Sequence, residues 1–478
     1  MKRPLLFFGL CSVIVGLGWV GARHESKAEL QRALASFRAN LPPDARFEYD
    51  RAYPRILARG AGFENARFTR GSVRLAARHL TVNNPTGFLV SGLGFSRIRA
   101  EGVTVDGPVS GTIDDLTLNR LRLPPMSRDK KDITSLPPAS EIRFRHGQIH
   151  RLDLKTATPG CRFRLREAIL DNYGHDDGNG GELHDLSAVC DTDSPQALLL
   201  SRRSRLKLAP IQAGIGTLHE KGFRLARMVA LIDSGARKPL LPGLKAEPDL
   251  WEAPATFESG KIAASLAGLR LTIDTSEMGS RIEGGFLKKE TDMRDVVVTG
   301  LPPQATRFLP DGIRVAHLVQ RLHLNMKSGH GETALTASTP GVFSLEFGMS
   351  GANFVPLPNQ TRRASEGPLI DSLQISYRDE GNTVDTLLQR IADSQNVPLA
   401  QLKARLILPM AIMIQTTPGL SALPGFLENA QGHTLVFALH PPEPLTLDML
   451  RSLGARLKAD SAMRQRWLSP PVLTTSLQ

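Results

Sequence analysis

Aromatic side chains are scarce in this 478-residue chain, at 5%, and its Lys and Arg, although they outnumber Asp and Glu by 59 to 47, form no long run. A surface that stacks bases and tracks a phosphate backbone needs both features, so nucleic acid is excluded as a partner. Three cysteines are too few for a disulfide-rich scaffold. There is no Walker A loop, no dinucleotide-binding glycine fingerprint and no His-Glu-x-x-His. The nearest approach to a nucleophile elbow, Gly348-Met349-Ser350-Gly351-Ala352, lacks the closing glycine and reads as a turn. His175, Asp176, Asp177, Glu182, His184 and Asp185 crowd one glycine-rich segment, but their spacing does not match a calcium loop, and a solvated loop is the plainer reading. No catalytic residue, metal ligand or cofactor is assigned, and the chain is expected not to be an enzyme; an envelope hydrolase is the weakest of the readings weighed.

What is present is a foldable chain, 41% hydrophobic with 42 Gly and only 22% charged, long enough for roughly three domains. Lys2 and Arg3 precede an apolar run from Leu5 to Val20. That is an export signal by the positive-inside rule. Its length fits an uncleaved anchor over residues 1–22, while Val20-Gly21-Ala22 also offers a small-residue cleavage site. The expected location is therefore the bacterial inner membrane, single-pass with the bulk in the periplasm, or the soluble periplasm if the signal is cut. Export exposes Cys161 and Cys190 to an oxidising compartment, where they form either a disulfide or two reduced core thiols. Closing that loop is worth on the order of 3 kcal/mol in the chain-entropy account.

Residues 23–45 read as a short amphipathic helix and linker, with Leu30, Leu34 and Phe37 at helical spacing before Pro42 and Pro43. From Arg46 the apolar period becomes two, at Phe47/Tyr49, Val73/Leu75, Leu80/Val82, Val103/Val105, Leu116/Leu118 and Leu121/Leu123, which predicts strands with one buried face. Proline-bearing polar segments at Pro124–Pro138, Ser234–Pro254 and Pro356–Pro368 divide β-rich blocks at 46–123, 139–232 and 256–355. An α/β block at 369–460 follows. There Asn382 and Thr383 are cap candidates for a helix with Val384, Leu387, Leu388 and Ile391 inward; a second helix starts at Pro398 and is interrupted by Pro409; Thr434–Leu439 is a strand; and Thr446 caps a last helix. Residues 461–478 read as a flexible tail. The apolar run Leu406–Ile414 is too short to cross a bilayer and reads as core, with a lipid-dipping hairpin or a groove plug as the alternative.

One spacing recurs: apolar, two residues, apolar, one residue, apolar. It occurs at Ile113-Leu116-Leu118, Ile149-Leu152-Leu154, Leu183-Leu186-Ala188, Leu266-Leu269-Leu271, Met293-Val296-Val298, Val319-Leu322-Leu324 and Ile370-Leu373-Ile375. Chance supplies such a triplet at about 7% of positions, so frequency carries nothing. The intervening residues do, because in several cases they are charged or hydrogen-bonding and lie beside a turn, which fits a strand entered through a bulge.

The succession Ala76-Ala77-Arg78-His79-Leu80-Thr81-Val82, Ile98-Arg99-Ala100-Glu101-Gly102-Val103-Thr104-Val105 and Thr112 through Pro124 resembles the strands of AsmA-like and related uncharacterised proteobacterial envelope proteins. The resemblance covers the anchor and residues 46–355. It implies an N-terminally anchored periplasmic protein of curved or grooved sheets, involved with phospholipid, and it carries over no catalytic residue. The fold class expected is therefore α+β, mainly β: an N-terminal membrane helix, antiparallel β-sheet blocks and a C-terminal helical block.

Arg143 and Arg145 alternate with Ile142 and Phe144, and Arg162, Arg164 and Arg166 with Phe163 and Leu165, so these five form a candidate face for anionic ligands, with Arg202, Arg203, Arg205 and Lys207 near in sequence. An ordinary solvated sheet face is the plainer alternative. The function expected is a non-catalytic cell-envelope protein that binds or organises lipid or another apolar ligand. The competing expectation is a periplasmic adaptor that holds partner proteins through a sheet edge or its helical block. The partners expected are the inner membrane, through the anchor, with phospholipid or envelope proteins.

Overall fold

A computed structural model describes residues 30–32, 34–35, 38, 45–88, 92–124, 139–156, 160–191, 211–227, 251–266, 268–301, 306, 312–354, 369–415 and 417–478. Residues 1–22, and with them the expected anchor, lie outside the described residues. The chain is mainly antiparallel β with a C-terminal helical block. It forms two compact units, residues 1–242 with 246–268 and residues 243–245 with 269–478, rather than the three expected from length.

In the first unit the strands are β1 (Ala45–Glu48), β2 (Arg51–Arg55), β3 (Gly60–Arg70), β4 (Val73–Phe88), β5 (Gly92–Asp106), β6 (Val109–Leu123), β7 (His146–Thr156), β8 (Cys161–Asp171), β9 (Gly180–Cys190), β10 (Ile211–Phe223) and β11 (Trp251–Leu266). β1 and β2 lie end to end along β3, and from β3 to β11 each strand pairs antiparallel with the next. The segment after Pro124, expected as a linker, therefore joins two neighbours of one sheet: β6 pairs β7 across it. The second expected segment, Ser234–Pro254, also ends early, because Trp251 to Pro254 already belong to β11.

The period-two reading of β1 to β6 holds in the structure. Phe47, Leu75, Leu80, Val82, Val103, Val105, Leu116, Leu118, Leu121 and Leu123 are all buried in one cluster. Burial of each such side chain contributes roughly 1.5–3 kcal/mol, which fixes the register because a one-residue slip would expose the whole row. Leu30 and Leu34, on a helical segment, close onto the same cluster, while Arg38 donates to the Phe47 carbonyl at 3.1 Å and lies over the Tyr49 ring. Phe37 lies outside the described residues.

A line of backbone breaks crosses this unit. Asn65 in β3, Gly102 in β5, Arg151 in β7 and Asp185 in β9 all adopt left-handed φ, between 47° and 60°. At each the pairing skips one position, or two between β8 and β9, and then resumes. At Gly102 the left-handed φ favours glycine, and a Cβ there would displace the Arg78 side chain, whose Nε lies 2.3 Å from that position. Such a break resets the in-out alternation, so the next inward residue comes three positions on instead of two. That accounts for the recurring spacing at Ile113-Leu116, Ile149-Leu152 and Leu183-Leu186. In the second unit Met293-Val296 spans the same kind of break at Asp295, φ 50°, and Ile370-Leu373 spans a bulge opposite Ser350 and Gly351. Val319-Leu322 pairs without a break, and Leu266-Leu269 straddles the end of one strand and the start of the next.

The second unit continues the same kind of meander through β12 (Leu269–Glu283), β13 (Phe286–Thr299), β14 (Ile313–Asn325), β15 (Gly331–Thr339), β16 (Phe343–Ala352) and β17 (Leu369–Asp379), then β18 (Thr434–Leu439) and β20 (Leu473–Leu477), with β19 (Leu445–Thr446) beside β17. The expected block at 369–460 is thus not separate, since β16 pairs β17. Ser350 lies within β16 rather than in a turn, its hydroxyl 2.7 Å from that of Ser372.

The helices are α1 (Thr383–Ser394), α2 (Leu399–Ile414), α3 (Leu423–Glu428), α4 (Leu447–Ala459) and α5 (Ser461–Trp467). Four expectations are corrected here. α1 is capped by neither Asn382 nor Thr383: Asn382 is left-handed with no side-chain cap, and the carboxylate of fully buried Asp379 accepts from the Thr383 and Val384 amides at 2.7 and 2.8 Å. Leu387 points outward, because the stripe packed on α2 is Val384, Leu388, Ile391 and Ala392. α2 runs through Pro409, whose exposed position leaves the Arg405 carbonyl, deprived of its donor, open to water. Residues 461–478 are no loose tail, since Asp460 caps α5, Trp467 is buried with Ile370 and Leu445, and β20 pairs β18. Thr446 caps α4 as expected, accepting from Met449 N at 3.1 Å.

Replacing Asp379 with Ala leaves two amides of α1 unpaired and is expected to lower stability by about 2 kcal/mol, with Asp379→Asn losing less. Urea denaturation reads this, and a change of Asp379→Ala within about 0.5 kcal/mol would contradict the capping role.

Candidate anionic-ligand site

The five candidate arginines do not form one face. Arg162, Arg164 and Arg166 lie on β8 and are neutralised there. Arg162 donates to both Asp153 oxygens at 2.8 and 2.6 Å, Arg164 reaches the same carboxylate at 3.3 Å, and Arg166 pairs with Asp185 at 2.7 Å. The hydrogen bond from Arg162 holds the Asp153 carboxyl below its usual range, with Arg164 adding to the effect. These pairs are exposed and contribute little to stability.

Arg143 and Arg145 sit at the opposite end of the strands, where a different group assembles. Arg143 and Arg122 are directly opposite across an antiparallel bridge, exchanging both backbone hydrogen bonds at 3.0 and 2.7 Å. Their side chains therefore leave the same face, and like charges so placed repel. Arg145, two residues on, shares that face, and its amide donates to the Asn119 carbonyl at 3.1 Å. The alternating Ile142 and Phe144 are buried in the core beneath.

A loop folds back over this segment. Phe144 N donates to Tyr173 O, Asn172 N donates to Arg145 O, and the Phe144 and Tyr173 rings stack at 4.9 Å. Gly174, at φ 76°, lies so close that a Cβ would meet the Ile142 carbonyl at 2.4 Å. Side-chain amides knit the loop: Asn172 Nδ2 donates to Gly178 O and Asn179 Nδ2 to His175 O. This holds His175 beside the arginines. Desolvation, then the fields of Arg143, Arg145 and Arg122, push its pKa below the ordinary histidine range, against a smaller upward pull from Asp177.

Among the described residues none of these three arginines has a salt-bridge partner. Of the nearby acids, Asp171 is engaged by His146 at 2.8 Å and Asp176 by Arg227 at 3.8 Å, while Asp177 acts on His175. Three guanidiniums at one strand end, with the His175 imidazole beside them, suit a phosphate or carboxylate. Arg122 and the placement of His175 escaped the sequence reading, because the β6–β7 pairing that opposes Arg122 to Arg143 spans residues 124–138. Arg202, Arg203, Arg205 and Lys207 lie outside the described residues.

Among the described residues no group of three His, Cys, Asp or Glu is placed to hold a metal ion. Cys161 and Cys190 are directly opposed on β8 and β9 and joined by a disulfide.

No protein-family model matches the chain, and no curated protein matches it.

Because the depressed His175 pKa comes partly from the arginines, Arg143→Gln with Arg145→Gln is expected to raise it, and inorganic phosphate is expected to raise it in the unsubstituted protein. The sign follows from linkage: the neutral form is favoured in the fold, so its contribution to stability is present above the ordinary histidine pKa and lost as pH falls through the depressed one. Imidazole NMR titration checks both; a His175 titration indifferent to both changes would exclude a shared field.

Proposed function

We propose that this chain is a non-catalytic cell-envelope protein that binds lipid or another apolar ligand on the apolar face of its first unit. The observation that carries the reading is how burial changes along one continuous face. In β3 to β6 the inward side chains are sealed, with Phe63, Ile98 and Leu121 all at 0% exposure. On β9 no residue is sealed in this way: Leu183 and Leu186 pack on the edge of the core yet stay partly exposed. Leu186 is opposite Ile215, which is opposite Ile262, and Leu183 is opposite Leu218; all of these are partly exposed too.

An apolar row that starts against a sealed core and runs across three strands open to solvent is a surface for an apolar ligand, because each of its side chains stands to lose water on binding. The disulfide supports an oxidising compartment. The apolar N-terminal run supports attachment to the inner membrane, with the bulk in the periplasm. Among the described residues no single helix is long and apolar enough to cross a membrane; α1 and α2, bent by 104°, pass that test only together.

A second reading, an adaptor for partner proteins, draws support from α2. The run Leu406–Ile414, expected as core, is core only in part: Leu406 packs on the cluster between α1 and α2, while Leu408 is 68% and Ile412 64% exposed. Such an apolar helix face suits a protein partner as well as a lipid surface.

Native mass spectrometry of detergent-free protein separates the two. Co-purified phospholipid that is lost in Leu186→Asp with Ile215→Asp, while circular dichroism stays unchanged, is the outcome expected. A lipid-free preparation carrying one stoichiometric protein partner would establish the adaptor instead.

A further inference from the structure

The antiparallel meander brings one more feature to the arginine end of the first unit. β3 begins there at Gly60, β4 ends there at Phe88, β6 ends there at Leu123 and β7 begins there at His146. The connection from β2 to β3 at this end is a single turn, Arg55-Ile56-Leu57-Ala58-Arg59, and its two largest apolar side chains stand in solvent, Ile56 at 64% and Leu57 at 104% exposure.

The turn is rigid. Arg59, left-handed at φ 42°, closes it by donating to Ile56 O at 3.1 Å; Asn84 N donates to Arg59 O at 3.1 Å; and Arg55 Nη1 donates to Asn83 Oδ1 at 3.2 Å. An aliphatic pair held outward on a braced turn stays exposed at a standing cost in hydration. Around it arginines predominate: Arg55 and Arg59 flank it, and Arg122, Arg143 and Arg145 occupy the same strand end without salt-bridge partners among the described residues, although Glu141 and Asp177 also lie at that end. Apolar side chains projecting from a basic rim match the boundary of an anionic bilayer, where headgroup phosphates lie above acyl chains. Neither a free anion nor an acidic protein surface would use the aliphatic tip.

We propose that this end of the first unit docks on the surface of an anionic lipid bilayer, with Ile56 and Leu57 entering the headgroup boundary and Arg122, Arg143 and Arg145 meeting its phosphates. The proposal goes beyond the apolar-ligand reading and stands whether or not β9 to β11 hold a ligand.

The test uses the full chain carrying Leu57→Trp, reconstituted into vesicles with brominated acyl chains, of phosphatidylcholine alone or mixed with phosphatidylglycerol; the unsubstituted chain gives the background of the three native tryptophans. Quenching specific to Trp at position 57 is expected in the phosphatidylglycerol vesicles and not in phosphatidylcholine alone. Each of Arg122→Gln, Arg143→Gln and Arg145→Gln is expected to weaken it about fivefold, and the corresponding Lys variants, which keep the charge, to restore most of it. The Lys variants also guard against misfolding as the cause of a loss. Three results would overturn the proposal: no quenching in either vesicle, equal quenching in both that ignores the arginine variants, or a His175 shift with inorganic phosphate while position 57 remains unquenched, which would make the cluster a site for a free anion.

Discussion

Everything described here depends on keeping one face of a long meander apolar while the strands bend. A strand alternates strictly, so a single extra residue would send every later side chain to the wrong side. The chain solves this with a left-handed residue in alternate strands, at Asn65, Gly102, Arg151 and Asp185, aligned so that neighbouring strands skip the pairing together. The residues beside the break are polar and face each other across strands: Glu64 opposite His79, His79 opposite Glu101, Asp115 opposite His150, and His150 opposite Glu167. The apolar rows on either side of the line then remain on the core face.

This constraint explains which parts of the fold could be read in the residues. Period-two runs such as Leu116/Leu118 report local alternation, and the three-residue step at Ile113-Leu116 or Ile149-Leu152 reports a local break, so both were legible. Strand neighbourhood was not. Residues 124–138 look like a linker by composition, yet β6 and β7 pair across them. The last eighteen residues look like a tail, yet Trp467 and Leu473–Leu477 are held by partners far away in sequence, Ile370 and β18. Leu406–Ile414 shows the converse: apolar composition suggests burial, and only the packing of α2 on α1 decides which side of the helix is covered.

The candidate site follows the same logic. Alternation correctly placed Arg143 and Arg145 opposite the buried Ile142 and Phe144, and Arg162 and Arg164 opposite Phe163 and Leu165. It could not show that Asp153 and Asp185 neutralise one group while the other is left with Arg122 and His175. Those distinctions arise from cross-strand register, so the sites emerge from topology more than from any motif. The same topology places sealed core at one side of the first unit and partly exposed apolar rows on β9 to β11.

The most direct test of the central claim, that one apolar face passes from sealed core to an open binding surface, is hydrogen exchange on the oxidised full chain with and without phospholipid. The account predicts that amides of β9 to β11 gain protection when lipid is present while those of β3 to β7, already slow, do not change. Uniform protection across the sheet, or none on β9 to β11, would contradict it.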